Sequence, residues 1–497
     1  MLWTLIGIVC AYLFMRWRSD PINRIPTVGP SLPLLSYVGA FRFVAHARKM
    51  LQEGYSKYNV FKVAIFDRWI VVVSGAKMND ELRRLPDEVM SFQDAANELV
   101  QPVYTVAPDA SVNMIHIEAI REQLPRNLAR LFPCVVEEVG LALDDLVPAT
   151  QDEWLPVKAF PTVAQIISRA SNRVFVGAPL CRDKEFLDLA CKYTNDVMTG
   201  AGILMFFPNF LKPVVGRLLP WPRRAIRAAR PYLKPIMDER HKQLSQSREG
   251  DEWPDKPNDL LMWMMEDAKR TGMGYPEDLL VQAVLAANFT AIHTSTITFA
   301  HALYHLAANP EYVQPLREEI ESVIKEDGWT KVSTGRMWKL DSFLKESQRM
   351  NGVSGLSITR FALQDVTLSD GTFIPARTVV SGAMSCTHLD EDNYANAAAF
   401  DGFRFSRMRE EDERERNKHH YVSTSAKDIG FGHGKHACPG RFFAANELKI
   451  MLACIVLRYD VKFREEGRRP ENEWLATSCY PCRTAEVLFK RRDESHL

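Results

Sequence analysis

Apolar residues run without a charge from Leu2 to Met15, and Arg16 and Arg18 follow. As a helix such a run reaches about 21 Å, against a hydrocarbon core of about 30 Å. Trp3 and Trp17 suit the two interfaces, and Arg16 can snorkel. A cleaved signal peptide wants positive charge before the run and a small-residue cleavage site after it. Neither is present, so the pattern predicts an uncleaved anchor over residues 1–18, with the next domain on the cytoplasmic side. Pro21, Pro26, Pro30 and Pro33 then break any helical period, which predicts a stiff hinge over 19–33 and a body over 34–497. Phe61 to Val73 alternates about Asp67-Arg68 and predicts a hairpin. From Asn79 to Ala308 the pattern is mostly helical. Its last part, Pro276 to Ala308, predicts one helix of roughly 50 Å, opened by Glu277 and Asp278 and stopped at Asn309-Pro310. Helices over Pro310–Lys325 and Leu340–Met350 come next, then short strands between Arg360 and Val380 that turn at Asp370-Gly371.

Two stretches fit no amphipathic element. Gly202 to Gly216 is apolar and broken by Pro208 and Pro213; it reads either as a core loop or as a second membrane contact. Arg407 to His420 is a dense mixed-charge run and reads as a solvated loop. Lys+Arg and Asp+Glu are equal at 62 each, which gives no basic footprint for nucleic acid. The 9 cysteines show no framework spacing and fit a reducing compartment better than a disulfide scaffold.

One cysteine stands apart. Phe431-Gly432-His-Gly-Lys-His436-Ala-Cys438-Pro-Gly440 places glycines around Cys438, and a helical pattern continues from Arg441 to Leu457. Glycines allow close approach to a flat ligand and positive φ. A cysteine at a helix N-terminus is biased toward thiolate, and such a thiolate on haem iron favours O–O cleavage. The segment resembles the cysteine loop of the cytochrome P450 family, its fungal members in particular, with His436 where most members carry Arg. A zinc site from His433, His436 and Cys438 is the rival, but it lacks a fourth ligand and Cys-rich spacing.

The resemblance covers essentially the whole chain and implies a mainly α fold with a small β-rich lobe. It implies haem b (heme) held by Cys438, with Phe431 and Gly432 against it. Arg121, His436 and Arg360 would meet the propionates, Arg121 in an Ile117-to-Arg121 element where the family carries Trp. Glu346 and Arg349, spaced i, i+3, together with Arg404 resemble the family's buried Glu-Arg-Arg network. Within Thr290-Ala-Ile-His293-Thr294 the family's threonine aids proton delivery, and His293 replaces the usual acid. The activity implied is monooxygenation of a lipophilic small molecule by O2. Electrons would come from an NADPH-cytochrome P450 reductase, and the chain would lie on membrane lipid of the endoplasmic reticulum. The closest resemblance is to secondary-metabolism oxidases, which suggests a terpenoid-type substrate. Arg126 and Arg130 would belong to the reductase-docking face.

Two other classes stay open on the residues: a haem-thiolate isomerase or dehydratase needing no external electrons, and a non-enzymatic haem or zinc binder. His301 and His305, at i, i+4, read as helix packing rather than a metal pair. Cys479-Tyr-Pro-Cys482 has redox spacing without a βαβ setting. The sequon Asn288-Phe-Thr290 lies on a helix expected to be buried.

Overall fold

The computed structural model describes residues 11–12, 14–15, 17–32, 34–107, 114–246, 253–272 and 274–493. Most of the expected anchor therefore lies outside the described residues. The proline segment does not stand off as a spacer. Ile25 and Val28 are buried, the Lys62 amide donates to the Pro26 carbonyl at 2.8 Å, and Lys62 Nζ donates to the Ile22 carbonyl at 2.8 Å.

The fold is mainly helical with small sheets, as expected. The hairpin at Asp67-Arg68 is antiparallel, Val60–Ala64 against Trp69–Val73. It heads a five-stranded sheet that continues through Val379–Gly382, Ser357–Ala362 and Met90–Ser91. Val379–Gly382 runs parallel to Trp69–Val73, a crossover that the intervening helices make possible. Leu155–Lys158, Glu486–Arg491 and Tyr459–Lys462 form a separate three-stranded sheet.

The helices share one large core whose axis is Glu277–Ala308. This central helix is buried almost all round, so its sequence carries little amphipathic contrast. It is the one described helix long and apolar enough to cross a membrane, and burial explains its composition instead. It packs against Ala159–Phe175, Lys184–Met205, Trp221–Gln246 and Trp338–Met350. The cysteine helix, Arg441–Arg458, lies against Ile115–Leu146 and Val313–Asp327. Gly202 to Gly216 splits between the end of Lys184–Met205 and the short helix Lys212–Leu218.

Candidate active site

The cysteine loop is shaped by its own backbone. Gly432 and Gly434 have φ of 70° and 78°, a region closed to most side chains. The Cys438 amide donates to the Phe431 carbonyl at 2.8 Å. This closes the loop just ahead of the cysteine helix. Burial pushes the Cys438 thiol up; hydrogen bonds from the Gly440 and Arg441 amides and the Arg441 charge act the other way. Those donors are what a thiolate sulfur requires. Phe431 packs against Tyr421 at 5.3 Å.

The helix Trp338–Met350 braces this loop from behind. Lys345 pairs with Asp428 and donates to the Ser423 carbonyl at 3.0 Å. The Ile429 amide donates to His388 Nε2 at 3.0 Å. One turn on, Arg349 donates twice to Glu346, at 2.7 Å each, and to the carbonyls of His388 and Ala397 at 2.6 and 2.8 Å. Arg404 Nε reaches the same carboxylate at 3.2 and 3.3 Å, and its other nitrogens bond the carbonyls of Ala395 and Ala399 at 2.6 and 3.2 Å. The structure thus brings Glu346, Arg349 and Arg404 together with nearly every donor satisfied, the condition for burying such charges.

Midway along the central helix, Thr290, Ala291, His293 and Thr294 are accessible while Asn288, Ile292 and Ser295 are buried. About one turn of an otherwise packed helix therefore presents an accessible face. Thr294 Oγ1 donates to the Thr290 carbonyl at 2.8 Å, and Thr290 Oγ1 to that of Ala287 at 3.0 Å. Both hydroxyls can still accept. Burial lowers the pKa of His293 and favours its neutral ring.

The expected cations divide. Arg360 is 2% exposed; it donates to the Thr359 carbonyl at 2.9 Å and sits 5.8 Å over the Phe92 ring. Burial lowers its pKa, opposed by the charge of Asp87. It has no carboxylate partner among the described residues, and a buried guanidinium needs one. His436 stacks on the same Phe92 ring at 5.3 Å, but its Nε2 is engaged by Asp87 at 2.5 Å. Arg121 is exposed. On the same helix His116 is half-buried: its Nδ1 has no partner and no access to solvent, and burial lowers its pKa to about 4. Nothing in its local sequence signalled this.

A thiol at the end of a glycine-shaped loop, a buried arginine without a carboxylate partner among the described residues and an orphaned imidazole nitrogen fit a flat iron cofactor with carboxylate arms. The zinc reading finds no such support: His433 Nδ1 bonds Thr424 at 3.0 Å and His436 bonds Asp87.

Comparison with known proteins agrees. The Cytochrome P450 family model matches residues 29–485. Cytochrome P450 monooxygenase 151 of Postia placenta is 63% identical over 98% of this chain and 97% of its own length. Cytochrome P450 monooxygenase CYP512U6 of Ganoderma lucidum is 38% identical over 98% and 96%. The structure of retinoic acid-bound cyanobacterial CYP120A1 superposes with a TM-score of 0.69 at 18% identity, covering 94% of this chain and 99% of that one, which speaks to fold alone. The chain belongs to the cytochrome P450 family. It is a monooxygenase whose cofactor is haem on an axial cysteine thiolate, working with a redox-partner reductase, O2 and a small-molecule substrate.

Proposed function

We propose that this monooxygenase hydroxylates, or otherwise oxidises, a lipophilic terpenoid-type metabolite, drawing electrons from NADPH through a membrane-bound reductase. Cys438 is the iron ligand in this reading. Arg360 holds one propionate, and His116, kept uncharged by burial, is a candidate for a second contact to the cofactor. Bound haem supplies the activation of O2 and the insertion of one oxygen atom into a C–H bond. The chain's own residues do the rest. The Glu346 network fixes the cysteine loop, the Thr290–Thr294 face leaves room for substrate, and the Thr294 hydroxyl, tied to the Thr290 carbonyl, passes protons at its Oγ1.

The observation that favours a lipophilic substrate and a membrane setting is an apolar surface. Phe66 at the hairpin tip packs against Phe41 at 4.8 Å and Phe206 at 4.4 Å. In the segments that carry Phe41 and Phe206, Leu34, Val38, Phe210, Val214 and Leu218 are exposed. A patch drawn from three separated segments is a docking surface for an apolar phase. Residues 1–18 would add the anchor and 34–497 the catalytic domain on the cytoplasmic side of the endoplasmic reticulum. Arg126 and Arg130, both exposed, belong to the face offered to the reductase.

The test begins with the carbon monoxide difference spectrum of reduced membranes. A far-red Soret band that disappears in Cys438→Ala supports the ligand assignment; a band that survives in that variant overturns it. Turnover of terpenoid mixtures by co-expressed reductase and enzyme then addresses the substrate. Oxidation of other lipophiles with terpenoids untouched would overturn the terpenoid reading.

A further inference from the structure

The segment Cys479 to Cys482 carries a side chain to the accessible face of the central helix. It belongs to the hairpin of Glu473–Leu475 and Ser478–Tyr480, which is pinned from both sides. The Cys479 amide donates to the Val353 carbonyl at 3.0 Å, and the Gly355 amide to that of Thr477 at 2.6 Å. On the central helix, Tyr304 donates to the Cys482 carbonyl at 2.7 Å. His301 bridges Arg469 at 2.6 Å on Nδ1 and the Cys479 carbonyl at 3.1 Å on Nε2. Arg469 can only donate, so His301 accepts on Nδ1 and gives its Nε2 proton to Cys479. Arg469 also donates to Asn472, whose amide donates to Asn351, which in turn meets His305 Nε2, each at 2.7 Å.

These fixings place the next residue, Tyr480. Its hydroxyl lies 3.4 Å from Nε2 of His293, with the rings 5.7 Å apart at 69°. Arg483 covers the phenol ring at 5.3 Å. On the accessible face the hydroxyl protons of Thr290 and Thr294 are already committed to their own helix. The His293–Tyr480 pair is therefore where an unspent donor remains. Burial holds both groups neutral: it lowers the imidazole and raises the phenol. A neutral imidazole that accepts on one nitrogen must carry its proton on the other.

We propose that Tyr480 is a positioning residue: its hydroxyl donates to His293 Nε2, fixes the ring as the Nδ1–H tautomer, and so sets a hydrogen-bond donor beside Thr294 where the family usually has an acid. The inference rests on the reading that His293 and Thr294 face the reacting centre. It assigns to the C-terminal hairpin control over the polarity of that centre.

The test uses the full-length holoenzyme and carbon monoxide as probe, reading the infrared C–O stretch of the reduced adduct, which responds to hydrogen-bond donors nearby. Wild type, Tyr480→Phe, His293→Ala and the double variant are compared, with a wild-type thiolate Soret band as the check on structure. Peroxide released per NADPH, with O2 and no substrate, is the second readout. Both single variants should shift the stretch the same way, to higher frequency, and raise peroxide. The double variant should add nothing. A Tyr480→Phe band at the wild-type position while His293→Ala shifts would overturn the proposal, as would shifts that sum in the double variant. A shift in Tyr480→Phe alone would mean that the tyrosine acts without His293, and overturns it equally. If neither variant moves the band, the underlying placement of His293 fails with it.

Discussion

Arg349 grips Glu346 through two hydrogen bonds of 2.7 Å across one turn of the same buried helix. Neither side chain has solvent to fall back on. Removing the carboxylate would leave Arg349 a buried cation, and Arg404 a half-buried one, with no counter-anion. Breaking a buried pair in this way costs about 3–5 kcal/mol. Glu346→Ala should lower the urea midpoint accordingly and reduce the haem retained on purification. Arg349→Lys should do much the same, because an ammonium cannot bond both oxygens and two carbonyls in one plane. Wild-type stability in either variant would remove the network from its bracing role.

That pair is legible in the sequence because i, i+3 spacing is a local pattern and the cysteine loop gives it context. So are the hairpin at Asp67-Arg68 and the helix ending at Ala308, where turn residues and Asn309-Pro310 mark the boundaries. Other contacts have no local trace. Arg409 sits in what reads as a solvated charge run, yet it is buried 4.2 Å over the Trp338 ring and 3.7 Å from Asp341. Only tertiary packing selects it from its exposed neighbours. Lys212, in an apolar stretch, is buried against Asp67 of the distant hairpin turn at 2.5 Å. Tyr480 and His293 are 187 positions apart. Arg121 holds the motif register but is exposed, while His116, five positions earlier, keeps a buried, unpartnered Nδ1.

Glu447 on the cysteine helix makes a pH prediction. Ser171 donates to its Oε1 at 2.8 Å, while Oε2 is buried without a partner. Burial pushes its pKa up from 4.5 to about 8, opposed by the Ser171 bond. The folded state therefore keeps a proton that the unfolded chain gives up. Its stabilising effect is full below about pH 4.5 and is lost progressively as pH rises to about 8. Glu447→Gln cannot ionise, so its stability relative to wild type should climb across that window by on the order of a few kcal/mol. Chemical denaturation at pH 5, 6.5 and 8 checks this; a difference independent of pH would mean that Glu447 is already ionised in the fold.

Thr294 makes a kinetic one. Its hydroxyl proton goes to the Thr290 carbonyl and the residue is exposed, so its oxygen remains free to accept. Thr294→Ala should leave the thiolate spectrum unchanged while more NADPH ends as peroxide and less as product. General acid–base groups typically contribute about 10²–10⁴-fold, so the fall in product rate should be large. Thr294→Ser, which restores the hydroxyl, should recover most of it. Unchanged coupling in Thr294→Ala would exclude the hydroxyl from proton delivery.

If the proposed membrane setting holds, the apolar surface around Phe66 is where lipid should meet the body of the protein. Phe210 and Leu218 are 77% and 76% exposed, and Phe41 is 65% exposed. Apolar area is worth about 25 cal/mol per Å² when it leaves water, so moving these three side chains into an apolar phase is favourable by several kcal/mol before orientation costs. The salt bridges beside the patch hold its segments together rather than opposing this. Lys212 pairs with Asp67, and Arg68 pairs with Asp67 and Glu98, which ties the hairpin turn to the helix Phe92–Val100 and to the start of the helix Lys212–Leu218. In vesicles, full-length protein carrying a photoactivatable phospholipid should cross-link within 206–218 and 34–41, not within the exposed 412–418 turn. Phe210→Ser with Leu218→Ser should cut that labelling sharply while the residues 1–18 stay in place in both proteins. Equal labelling of the two surfaces would mean that the anchor alone holds the enzyme at the bilayer and that the patch faces something other than lipid.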